Sequence, residues 1–128
     1  MSQKTINITG WSLTVLLGIL FTMSAFMKLN QNDATVAQAA SLGIEAGSFQ
    51  LIGIIEIVSL ILFIIPRTGI VGTLLLAAYL GGAIATHLEH QQPVTMPVVT
   101  QMLLWITAII RFPELRHRLF SNNKLPAL

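Results

Sequence analysis

The chain of 128 residues contains no cysteine, and only 9% of its residues are charged. Without cysteine there is no disulfide framework, no thiol redox chemistry, no cysteine-held zinc and no cysteine-ligated iron–sulfur cluster. Any part in electron transfer would need a haem, a quinone or a partner to carry the electrons. Soluble domains carry about 25% charged residues, so this chain lacks the charge to cover a water-facing surface. It also lacks a basic face interleaved with aromatics. The net charge of +2 sits between and beyond apolar runs, which argues against a nucleic-acid partner. The length leaves room for a single domain.

What is abundant is apolar sequence: 54% of residues are hydrophobic and the mean hydropathy is +0.77. Four runs approach the roughly 20 residues needed to cross the hydrocarbon layer. They cover residues 11–29, 49–65, 69–87 and 94–112. Backbone groups inside lipid have no water to bond, so runs this apolar are expected to be helical even where β-branched residues crowd the second. The fourth is the poorest, interrupted by Pro97 and Gln101 and ended by Arg111. The first run is longer than the apolar core of a secretory signal and ends in Phe26, Met27 and Lys28 instead of a small-residue cleavage site. It is read as a retained helix.

The expected fold is therefore all-α: a transmembrane four-helix bundle with short loops and one longer outer loop, the whole of 1–128 forming one membrane domain. Residues 34–42 in the long loop have fair helix propensity and are expected to make a short helix at the membrane surface. Pro66, Arg67 and Thr68 form a tight turn that makes the second and third spans antiparallel neighbours. Pro113 is expected to stop the fourth helix, leaving residues 113–128 as a basic cytoplasmic tail. Lysine and arginine accumulate on the cytoplasmic side of span ends. Lys4, Arg67, Arg111, Arg116, Arg118 and Lys124 fall on one side against Lys28 alone on the other. Both termini are thus expected inside, in the cell membrane and by preference a bacterial inner membrane.

Polar groups inside the spans carry the functional content. Glu56 lies near the centre of the second run, where an ionised carboxylate costs several kcal/mol and should face the interior. Gly53, Glu56 and Ser59 recur every three residues on one small, polar face suited to close helix contact. Two readings of Glu56 stand: a proton-handling or ligand-anchoring acid, or a protonated acid donating an interhelical hydrogen bond. Lys28 and His87 fall at the outer ends of the first and third spans, within about 10–15 Å of Glu56 along the helix axis. Lys28 is either a snorkelling anchor or a site residue. Tyr79, Ala83, Thr86 and His87 share a helical face, so His87 and Thr86 join Glu56 and Lys28 as the candidate intramembrane polar site. His87 and His90 with Glu89 between them lack the spacing of a zinc-protease helix, and no metal is assigned. The glycines of the third run and Trp105 are read as packing residues, and Trp11 and Tyr79 as ordinary apolar-face or interface aromatics.

These segments resemble the DoxX-like family of small membrane proteins. The first run ends FTMSAFMKL, similar to the family's Phe-x-x-x-small-x-x-Lys-Leu pattern, with Ala25 where the family often has glycine. The second and third read LIGIIEIVSLILFIIPRTGIVGTLLLAAYLGGAIATHL, with a Gly-x-x-Glu stretch, a Pro-Arg turn and a terminal Thr-His. The fourth, LLWITAIIRFPEL, looks like the family's Trp-containing last helix with its Arg-x-Pro exit. The resemblance covers roughly residues 11–114 and implies a four-helix bundle in which Lys28, Glu56 and His87 matter. The family name comes from a subunit of a thiosulfate:quinone oxidoreductase, and distant relatives are membrane-protein chaperones. The reading drawn from it is an accessory subunit of a quinone-linked redox complex, without catalytic activity of its own, with the lipid bilayer and a membrane or redox protein as partners. Behind it stand a membrane-protein assembly factor or chaperone, and then a small-molecule or proton carrier.

Overall fold

A computed structural model describes residues 2–120, and all its regular elements are helical. In chain order they are α1 (Gln3–Leu29), α2 (Asp33–Ser41), α3 (Ala46–Ile64), a single 3₁₀ turn (Pro66–Thr68), α4 (Gly69–Glu89), α5 (Thr95–Arg111) and α6 (Pro113–Phe120). Four long helices close a ring in which α1 packs on α3 and α5, and α4 packs on the same two. α1, α3 and α4 are each long and apolar enough to cross a membrane. α5 reaches that standard only together with α6, from which it is bent by 100°.

Helix limits differ from the apolar runs where capping chemistry decides them. α1 starts eight residues before the first run because Ser2 caps it, its hydroxyl accepting from the Thr5 amide at 3.2 Å. The loop helix α2 lies close to its expected place, started by Asn32, whose side chain accepts from the Thr35 amide. Pro97 does not break the fourth run. It sits in the first turn of α5, where backbone amides have no intrahelical partner to lose. Pro113 does end α5, with Phe112 held extended before it, as a residue preceding proline prefers. The segment after it, expected as a polar tail, begins with a second helix instead. Proline suits a first helical position, so Pro113 opens α6 as it closes α5. Residues 121–128, including Lys124, lie outside the described residues.

The interior is lined by Leu17, Phe21, Leu60, Phe63, Leu76, Leu80, Leu104, Ala108 and Phe112. Its hydroxyls are satisfied within their own helices: Thr14, Ser59, Thr73, Thr100 and Thr107 each donate to the carbonyl four residues back at 2.6–2.8 Å. Large apolar side chains cover the outside as well, among them Val15, Met23, Phe26, Leu74 and Met102. That exterior suits lipid, not water. Glycines set the closest helix crossings. A β-carbon on Gly72 would collide with the backbone of Phe63 and Leu62 in α3, and one on Gly53 would stand 3.0 Å from the Lys28 β-carbon and 3.3 Å from the Ala25 carbonyl oxygen. The α1–α3 crossing at Gly53 brings Lys28 to the face that carries Glu56.

Arg111 joins three elements at the end of the ring opposite α2. Its guanidinium donates to the Phe63 carbonyl at 2.7 Å and to the Ile64 carbonyl, filling acceptors that the end of α3 leaves open. It also lies 4.3 Å from the centre of the Trp11 ring and 4.9 Å from that of Phe112. Arg116 does the same for α5, donating to the Ile110 carbonyl at 3.0 Å.

Candidate functional site

Glu56 is wholly buried. Its Oε2 accepts from the Lys28 ammonium at 3.1 Å and from the Ser24 hydroxyl at 3.4 Å. Lys28 also donates to the Ser24 hydroxyl oxygen at 2.5 Å and to the Ser24 carbonyl at 3.5 Å. The ammonium thus has three acceptors within hydrogen-bonding distance, two of them on Ser24. Its nitrogen lies 5.5 Å from the ring centres of both Phe49 and Tyr79, whose π-faces add to the cation's surroundings. The side chains of Lys28 and Glu56 are 11% and 1% exposed, so the pair sits in a medium of low dielectric where the partners depend on each other. The other carboxylate oxygen, Oε1, is buried and accepts no hydrogen bond.

The pair forms part of the wall of a cavity of about 590 Å³ between α1, α3, α4 and the start of α5. Apolar side chains such as Phe21, Ile52, Leu75 and Leu80 make most of its lining, and Gln38, Leu42 and Ile44 approach it from α2 and the loop after it. α2 is tied down by the Thr35 hydroxyl, which donates to the Met27 carbonyl at 2.7 Å. Gly43, at φ +68°, turns the chain tightly over His90: a β-carbon there would stand 2.5 Å from His90 Nε2.

His87 and Thr86 line the same cavity but make no hydrogen bond to Lys28 or Glu56. His87 Nδ1 is 2.6 Å from the Ala83 carbonyl, which can only accept, so Nδ1 carries a hydrogen, and Nε2 makes no hydrogen bond. The Thr86 hydroxyl donates to the Gly82 carbonyl at 2.8 Å. His90 is held apart from the cavity lining, its Nδ1 3.0 Å from the Thr86 carbonyl. Among the described residues no three His, Asp or Glu side chains gather where they could hold a metal.

Of the four residues singled out from sequence, Lys28 and Glu56 are in direct contact, and His87 and Thr86 share their cavity. Ser24 and the approach of Tyr79 and Phe49 to the ammonium were missed. Ser24 had a signal, because it precedes Lys28 by four residues and shares its helical face. Phe49 had none, since its approach follows from the α1–α3 crossing. Neither curated proteins nor solved structures give a match to the chain. The DoxX-like family does, its sequence model matching residues 12–109. Apolar helices and family agree on a protein in contact with the lipid bilayer. The chain is a membrane protein belonging to the DoxX-like family.

Proposed function

We propose that this protein is a four-span helical bundle of the cell membrane, one domain with both termini cytoplasmic, that holds the head group of a lipophilic molecule and serves a quinone-linked redox complex as an accessory subunit. The observation that carries the reading is the buried Lys28–Glu56 pair in the wall of a largely apolar cavity. Ligand sites in membranes combine an apolar volume with a few convergent polar groups, and an ionisable pair at this depth must be offset by something it does or holds. The residues fit the reduced, hydroquinone form of a quinone-type molecule: an apolar wall for the ring and tail, and for its hydroxyls the unpartnered Glu56 oxygen, with the Tyr79 hydroxyl and His87 in the same lining. When bound, such a molecule would supply redox chemistry to a chain that has no thiol of its own. The chain's own residues bind and orient the head, and Lys28 and Ser24 hold the Glu56 carboxylate in place.

The test is affinity purification from native membranes in mild detergent, with partners identified by mass spectrometry and bound lipids extracted from the same sample. A stoichiometric dehydrogenase or oxidase partner, with hydroquinone (recovered as such or as the quinone it oxidises to) that disappears in Glu56→Ala, is the expected result. Unrelated membrane proteins enriched without quinone would overturn it in favour of the assembly-factor alternative.

A further inference from the structure

We propose that the cavity selects ligands whose polar end donates a hydrogen bond, such as phenols and hydroquinones, over those that can only accept, such as ethers and oxidised quinones. The inference rests on the proposed ligand-holding role of the cavity and deepens it by naming the chemical class of the head group. It comes from which hydrogen-bonding capacity around the cavity is already occupied. The cation that would ordinarily attract a carbonyl is not available, because the Lys28 hydrogens go to Ser24 Oγ, the Ser24 carbonyl and Glu56 Oε2. The Ser24 hydroxyl hydrogen goes to Glu56, that of Thr86 to the Gly82 carbonyl, and that of His87 to the Ala83 carbonyl. The Gln38 amide, at the α2 side of the cavity, both donates and accepts and does not discriminate, so at the Lys28–Glu56 end the one-way capacity left over is accepting. Glu56 Oε1 is buried with no donor, and as half of an ion pair with Lys28 the carboxylate is an acceptor only. His87 Nε2 makes no hydrogen bond, and it accepts one whenever Nδ1 carries the ring's single hydrogen. The Tyr79 hydroxyl both donates and accepts, so it does not discriminate. A ligand hydroxyl facing Glu56 would make a charge-assisted bond, the stronger kind, whereas a ligand oxygen placed there would meet a carboxylate oxygen lone pair to lone pair.

A matched pair of probes separates donor preference from simple greasiness: dodecylphenol and its methyl ether, which differ by the one donor hydrogen. The full-length protein in phosphatidylcholine nanodiscs is titrated with each by equilibrium dialysis. The phenol should bind at least about tenfold more tightly, the size expected of one hydrogen bond to a charged group. In the double variant Lys28→Met/Glu56→Leu, which replaces the pair by apolar groups of similar volume, the ratio should fall to about one while both probes still bind. Should that variant fail to fold, Glu56→Gln keeps the side-chain shape, and its uncharged amide should lower the ratio to a few-fold or less. A β-carbon on Gly82 would meet no atom within 4 Å, so Gly82→Phe should fill the cavity and block both probes. Equal wild-type affinities, or a tighter ether, would overturn donor selection and leave the cavity's ligand-holding role standing. Binding of neither probe, or binding that survives Gly82→Phe unchanged, would overturn both.

Discussion

Breaking the Lys28–Glu56 pair from one side should cost far more than breaking it from the other. Lys28→Met leaves Glu56, at 1% side-chain exposure, as an uncompensated carboxylate in the interior; losing one partner of a buried pair costs about 3–5 kcal/mol. Glu56→Leu leaves Lys28 one residue from the end of α1, at 11% exposure, with both Ser24 acceptors still in reach and a long stem that can carry the ammonium outward. That single change should cost about 1–2 kcal/mol, the size of a lost hydrogen bond. The double variant should return to within about 1 kcal/mol of the wild type, because an apolar replacement of a whole ion pair is often neutral. Reversible unfolding in mixed micelles, driven by rising dodecyl sulfate and followed by circular dichroism, gives all four stabilities. Equal costs for the two single variants would refute the depth argument. Effects that add within about 0.5 kcal/mol would refute the contact itself.

Glycine substitutions on α4 should differ in sign by position. Gly72→Ala drives a methyl into the α3 backbone and should cost about 1–3 kcal/mol, whereas Gly81→Ala meets no atom within 4 Å and should be neutral or stabilise by up to about 1 kcal/mol in the same unfolding assay. Arg111→Met should cost about 3 kcal/mol through two lost carbonyl contacts and the Trp11 ring face, and Arg111→Lys should not restore it, because an ammonium lacks the planar fork that reaches both carbonyls. A phosphatase fused at the C-terminus should be inactive, and a fluorescent protein there bright. Full phosphatase activity would reverse the proposed orientation.

How much could be read in advance depends on whether one segment or two decided the feature. The helices at α3 and α4 were legible because the apolar requirement acts on each run by itself, and Pro66 with Gly69 marks their junction. The Lys28–Glu56 contact was legible only as a placement near one level. Its realisation depends on Gly53, which allows α1 close enough for a lysine stem to cross. The bend after α5 was half legible. Proline after Phe112 announces an end, but the same proline is also a good first helical residue, and the polar composition beyond it hides the helix it starts. Arg111 counts in the sequence as a positive charge for orientation. Its second task, closing the carbonyls of α3, became visible only once the ends of α3 and α5 were side by side.

Lys28 and Arg111, at opposite ends of the ring, show how a polar group that completes the fold differs from one that is open to a ligand. Arg111 points its donors at backbone carbonyls that would otherwise lack partners and covers its plane with aromatic rings. Every polar atom it engages is one that helix formation itself left over, so the fold accounts for it. Lys28 engages no leftover helix end. It neutralises a carboxylate that the interior did not require, since a leucine at position 56 would have packed without a partner. The pair still leaves Oε1 buried and unbonded beside a cavity wide enough for a ring. A buried acceptor without a donor costs about 1–3 kcal/mol or more, and folding gains nothing from it. The deficit is local to the cavity and would be removed by one donor hydrogen on a bound molecule, so it is the Glu56 end of the ring, not the Arg111 end, that the chemistry of a ligand completes.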